Sequence, residues 1–535
     1  MAKKKTLFYT IIFIIAFLVG WGVYNAFRAD RATPEYSGIP QTKYGAFLAA
    51  QHAIYVNDFE SVDDFVTTIS DIEYDTVKNT RVLAEFLSGK IPNDVASIAN
   101  DKNIASRLIY DAYLVQHDRW DDLYKRRYTE KTAVYAPLRI WAAVAKDRIT
   151  ETLKYIDTID SNPSWRAFLR GQVYAEQGKF DAAATAFAGV SPEFMNINDY
   201  MYIMSFYRAH GMNDAATELQ QKFVSTPGGM FMSSYDDFPE WSNFAGTKNA
   251  LAFDLIQNVS HTQIMLYSDL SVLMMRFAQI IGPDAPLFHD AVNYYLGQFF
   301  ANMGGNYAKY FDAVDSNSPY YLFAQMHSDD SPKTMKHILN IQPLFVPALN
   351  KLVAHYTATG DRRGAIRIID RALKNKKISG AGRAYLAKRR ALVNLLFGDL
   401  NAAQRDIHDA SKSTDVDGEI LTVQARIWAA QGREIENAYD YAMSLIKRNP
   451  TDVLAWDTVA VVVGVREGND AALEILEKVA GAASTCSSLF EHLGDAYVIR
   501  GDKNAARDAY MRAIELSDDG LCIVPKIKKK LDRLK

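Results

Sequence analysis

Two cysteines, ten histidines and 63 acidic side chains are the groups in this 535-residue chain that could do chemistry. Their spacing argues against most of it. The histidines run singly from His52 to His492, with no pair four apart and no Cys-x-x-Cys nearby, so no metal has a ligand set. Each reads as a surface or capping residue. Ser88-Gly89-Lys90 lacks the upstream glycine of a phosphate loop, and neither His-Glu-x-x-His nor Gly-x-Ser-x-Gly occurs. The expectation is a protein that is not an enzyme, with no catalytic residue, no cofactor, no metal and no small-molecule substrate. An enzyme remains only as carboxylates that converge across the fold, which spacing does not reveal. What is left is recognition. Glu491 and Asp495 lie one helical turn apart, and Tyr235, Phe238 and Trp241 crowd a segment rich in loop residues.

Those groups must be positioned by helices. Phe490-x-x-Leu493-Gly494-x-x-Tyr497, then Ala506-x-x-x-Tyr510, recurs up the chain at a period near 34 residues. One period earlier stand Trp456, Ala472 and Leu476. The next step back gives Ala438 and Ala442, closed by Asn449-Pro450. Gly171, Tyr174, Ala183 and Phe187 form another clear unit. Gly-Asp followed by alanine repeats at Gly360-Asp361 with Ala365, Gly398-Asp399 with Ala403, and Gly501-Asp502 with Ala506. A small residue on one helix lets the next pack close, and an aromatic fills the gap. Gly tolerates the left-handed backbone that ends a helix, and Asp starts the following one.

This pattern resembles the tetratricopeptide (TPR) repeat. The resemblance implies an all-α fold, a right-handed solenoid of antiparallel helical hairpins (a TPR superhelix), with a concave side lined by first helices and used for protein–protein interaction. The layout also resembles membrane-anchored alphaproteobacterial envelope TPR proteins. Net charge is −3, so no basic footprint favours nucleic acid. A chain of this length exceeds one ordinary core, but a solenoid grows by adding units.

Lys3-Lys4-Lys5 precedes an uncharged run from Thr6 to Phe27, about 22 residues and long enough to span a bilayer. The positive-inside rule keeps the N-terminus in the cytoplasm and sends the bulk to the periplasm, as a single-pass protein of the inner membrane. A cleaved signal peptide is the rival, although Ala26 and Ala29 have Tyr24 and Phe27 where small residues are needed. The organisation expected is a basic N-terminus (1–5), a signal-anchor helix (6–27), a tether (28–42), an N-terminal helical array (43–225) and a loop or boundary (226–246). Irregular helical repeats (247–345), a C-terminal TPR array (346–519) and a capping helix with a basic tail (520–535) follow.

Three places bear on binding. Glu491 and Asp495 make one end of the concave groove acidic, which repels the carboxylate tail that chaperone-docking TPR domains grip; a solvated face without a ligand is the plain alternative. Tyr235, Phe238 and Trp241 are either an adaptable partner site or rings tucked into adjacent helices. The tail around Ile527, Leu531 and Leu534 is an amphipathic cap whose lysines could also meet anionic lipid. Cys486 and Cys522 flank the last hairpin, so its geometry places both sulfurs at one end, where an oxidising compartment permits a disulfide. The expected function is a membrane-anchored extracytoplasmic scaffold for envelope proteins or peptide segments, with a holdase for exported chains as the alternative.

Overall fold

The computed structural model describes residues 42–534, except 56–57, 72–73, 94, 102, 127–134, 160–161, 262–268, 304–306, 413–416 and 483–484. The apolar run 6–27 and the tether 28–42 lie outside the described residues, save for Thr42. Among those described, no helix is long and apolar enough to cross a membrane. The described residues form helices and connecting turns, with no strand. They gather into two compact units. One comprises the chain up to Val190, Met201–Gly211 and Pro239–Ser328; the other comprises Ser191–Tyr200, Met212–Phe238 and Asp329 onward. Each unit is thus built from separate stretches of the chain.

In the first unit, the helices Pro163–Glu176 and Phe180–Ala188 pair as an antiparallel hairpin. A Cβ at Gly171 would lie 2.3 Å from the Phe187 ring, so this close packing requires glycine. Tyr202 is fully buried in an aromatic cluster that includes Phe168, Phe187, Trp241, Phe244 and Phe253.

The second unit carries the regular repeat. Its hairpins are α1/α2 (Val346–Thr359, Arg362–Leu373), α3/α4 (Gly380–Leu396, Leu400–Ser411), α5/α6 (Gly418–Gln431, Ile435–Arg448), α7/α8 (Val453–Arg466, Asn469–Ala482) and α9/α10 (Ser487–Arg500, Lys503–Glu515). A last helix, α11 (Val524–Asp532), follows. Each helix packs on its hairpin partner, and successive first helices from α3 to α9 pack on one another. The Gly-Asp turns do what their residue types dictate. Gly360, Gly398 and Gly501 are left-handed, with φ of 84°, 81° and 88°. The carboxylates of Asp361, Asp399 and Asp502 then accept the backbone N–H groups of Gly364, Ala402 and Ala505, capping the next helix.

The repeat is closed at its ends. The turn at 517–519 and α11 both pack against α1. The backbone of Gly520 is pressed so close to Ala354 that a Cβ would stand 2.5 Å from its Cα, and Pro525 lies against Gly360. The expected cap does pack on α10, and it also joins the last hairpin to the first. The segment before the array contributes as well: Met230 packs over Gly382, Phe231 meets Phe345 edge to face, and Gln342 donates to the Phe231 carbonyl at 2.9 Å.

Candidate functional site

The first helices of the second unit's hairpins are α1, α3, α5, α7 and α9. Here each of those helices is tied to the next by polar side chains. Asn350 of α1 and Tyr385 of α3 exchange hydrogen bonds of 2.8 and 3.1 Å. Lys388 of α3 pairs with Asp417, the N-cap of α5, and with Glu419 at 2.8 Å. Arg426 of α5 reaches Asp457 of α7 at 2.6 Å and Thr458 at 2.9 Å. Asp457 also accepts from Ser488 of α9 at 2.5 Å and lies 2.7 Å from His492 Nδ1. Finally, Lys530 of α11 donates to Glu491 and Asp495, 2.7 Å each. The chain of links is continuous from α1 to α11.

Asp457 is its centre and is fully buried. Burial by itself would raise its pKa, but His492 and Arg426 outweigh burial and hold the carboxyl well below the usual carboxylate range. Lys530 balances in the same way: burial pulls its pKa down, and Glu491 and Asp495 more than restore it.

The acidic groove end expected from Glu491 and Asp495 is partly screened. Both carboxylates share the single ammonium of Lys530, which leaves the trio one net negative charge, and Asp495 also accepts from the Tyr510 hydroxyl at 2.6 Å. The reason is the return of α11 over the last hairpin. His492 is half-buried, with its Nδ1 2.7 Å from the Asp457 carboxylate. Spacing did carry a trace of this: Asp457 and Glu491 stand one period apart, and Arg426 stands two periods before Gly494. An arginine where a repeat expects glycine needs a buried anion.

Tyr235, Phe238 and Trp241 are half-buried against their own chain. Tyr235 packs on Phe238, which packs on Tyr200, in the second unit. Trp241 packs on Tyr202, Phe206 and His210 in the first. The expected disulfide is not formed: Cys486 and Cys522 are buried free thiols. They share the core of the terminal hairpin with Leu489, Tyr510 and Ile527. Each has its own neighbour, Ser488 Oγ at 3.5 Å for Cys486 and the Ala513 carbonyl at 3.6 Å for Cys522. Burial pushes both thiols up, Cys522 to about 11.

The repeat-packing residues stand where hairpin geometry needs them. A Cβ at Gly494 would sit 2.4 Å from the Tyr510 ring. Ala472 and Ala506 are buried between helices, and Trp456 donates its indole N–H to the Pro450 carbonyl at 2.9 Å. Gly171 and Phe187 repeat the Gly494–Tyr510 contact, with Ala183 fully buried beside them. Tyr174 and Tyr497 lie in the last turns of their first helices.

No family model and no curated protein matches the chain. Among solved structures, a tetratricopeptide repeat protein from Parabacteroides merdae ATCC 43184 is 14% identical, over 54% of this chain and 99% of its own, with a TM-score of 0.31. YrrB, a TPR protein with an unusual peptide-binding site, is 15% identical over 38% of this chain and 100% of its own (TM-score 0.22). The APC/C hetero-tetramer Cut9–Hcn1 gives 13% identity over 92% and 96% (TM-score 0.32). All three scores are below 0.5, and the TPR form rests on the chain's own hairpins.

Proposed function

We propose that this protein is a membrane-anchored extracytoplasmic scaffold whose hairpins position envelope proteins or peptide segments of them. The apolar run 6–27 would hold it in the inner membrane with the N-terminus in the cytoplasm and the bulk of the chain in the periplasm. The observation that carries the scaffold reading is the unbroken series of polar links from α1 to α11. It holds the helices in fixed register, which suits a surface that presents partners in set positions and suits a holdase for varied unfolded chains poorly.

Two measurements test it. Alkaline phosphatase fused after Lys535 is expected to be active in a bacterial host; a fusion active only as a cytoplasmic reporter overturns the topology. Full-length protein purified in mild detergent is expected to retain a few folded partners in fixed ratio. Many unfolded chains at low occupancy would instead establish the holdase, and turnover of a small molecule an enzyme.

A further inference from the structure

A separate surface lies on the second helices. There, between α2 and α4 and floored by α3, lies a cleft of about 740 Å³. Six arginines and Lys374 line it, against two carboxylates, Asp370 and Asp406. The floor is already engaged. Arg390 holds Asp370 and Asp406, each at 2.6 Å, and Asn394 donates to Asp406 at 2.9 Å. Arg362 is engaged with Asp399 at 2.5 Å and Asn394 at 2.8 Å.

The rim is not balanced. Arg363, Arg367, Lys374 and Arg405 are exposed and make no ion pair among the described residues, and Arg371 is engaged only with Asn340, a neutral amide, at 2.6 Å. Arg363, Arg367 and Arg371 follow at four-residue spacing on one face of α2. Like charges so placed disfavour a helix unless an anion is brought to them. Five cations around one cleft, in a chain whose net charge is −3, are a concentrated field.

We propose that this groove binds an extended acidic peptide segment of a protein partner, its carboxylates taken by Arg363, Arg367, Arg371 and Arg405. The inference rests on the protein-scaffold reading and gives the partner its chemistry. The spacing fits. Guanidinium groups four residues apart on a helix rise by about 6 Å. Alternate side chains of an extended strand are separated by about 6.8 Å. The row from Arg363 to Lys374 spans about 16 Å, the reach of some five extended residues. Each guanidinium fork matches a carboxylate bidentately. The same cations suit a phosphodiester backbone, but no aromatic lines the groove to stack a base, which favours the peptide.

The test is fluorescence anisotropy on the full-length protein in detergent. The probes are a labelled peptide with glutamate at alternate positions, its glutamine counterpart, and a single-stranded oligonucleotide of equal charge. The glutamate peptide is expected to bind, the glutamine peptide not, and the oligonucleotide at least tenfold more weakly. The double variant Arg363→Gln/Arg367→Gln is expected to lose at least tenfold in affinity while its Tm is unchanged or higher, because like charges are removed. Lys528→Gln/Lys529→Gln, which removes two exposed charges elsewhere, is expected to bind as the parent does. Equal binding by parent and double variant, no binding of the glutamate peptide, or tighter binding of the oligonucleotide overturns the proposal. Detergent purification of the double variant separates the two readings: fixed-ratio partners retained by both proteins would sink the groove alone, and none held by the parent would sink the scaffold.

Discussion

Asp457 is fully buried and has three polar neighbours on two other helices, so its charge is the most exacting single feature of the array. Asp457→Asn leaves Arg426 buried without its anion, and removing one partner of such a pair costs on the order of 3–5 kcal/mol. The pH dependence has a definite sign. A carboxyl whose folded pKa is depressed contributes stability that is present above its unfolded pKa and is lost as pH falls through the folded value. The second unit is therefore expected to weaken below about pH 4, with a smaller loss in Asp457→Asn, as followed by circular dichroism during acid titration. An identical acid profile in the two proteins would contradict the ion cluster. Glycines supply a second comparison at this scale. Gly494→Ala drives a methyl into the Tyr510 ring and should cost about 1–3 kcal/mol. At Gly481, which lies in a helix with nothing within 4 Å, the same change should be neutral or stabilising by up to about 1 kcal/mol. Equal thermal shifts would mean that the helix contact is not where the structure has it.

At the scale of the helix and the hairpin, the sequence was most legible where the cause is local. Gly360-Asp361, Gly398-Asp399 and Gly501-Asp502 each hold a left-handed helix end and an N-cap within two residues, so pattern and structure coincide. Gly494 with Tyr510, and Gly171 with Phe187, were legible for the same reason: both partners lie within one period. The cysteines show the limit. Hairpin geometry brings Cys486 and Cys522 to one end, but the core around them decides which way each sulfur points. In the native protein both are expected to resist iodoacetamide at neutral pH, since the reactive species is the thiolate and burial opposes it. Two thiols should then alkylate after denaturation without reductant. A protein that releases thiols only after reduction would show the bridge instead.

At the scale of the whole second unit, the ends of the array are held by closure. An open solenoid frays from its ends, because a terminal hairpin has one neighbour. Here α11 and the turn before it rest on α1, so the last hairpin has two, and α1 also meets the helix Pro332–Ile341. Gly520 is the tightest point of that contact, with φ of 70° and no room for a Cβ against Ala354. Gly520→Ala combines left-handed strain with a clash, and a loss of roughly 2–4 kcal/mol follows. Hydrogen exchange should show amide protection falling in α1 as well as in α11; loss confined to α11 would mean that the ends do not meet. Closure was not legible in the sequence, since a contact between residues 354 and 520 leaves no periodic trace. The arginine groove was hidden for a related reason: α2 declares its row of cations, but Arg405 and the floor residue Arg390 come from other helices.

Whether this protein is a scaffold with set partners can be decided by crosslinking in native membranes followed by quantitative mass spectrometry of what is attached. A few folded proteins are expected, recovered in constant ratio to this chain and carrying acidic extended segments crosslinked near Arg363 and Arg405. A broad population of unfolded chains, each at low occupancy and none enriched at that groove, would contradict it.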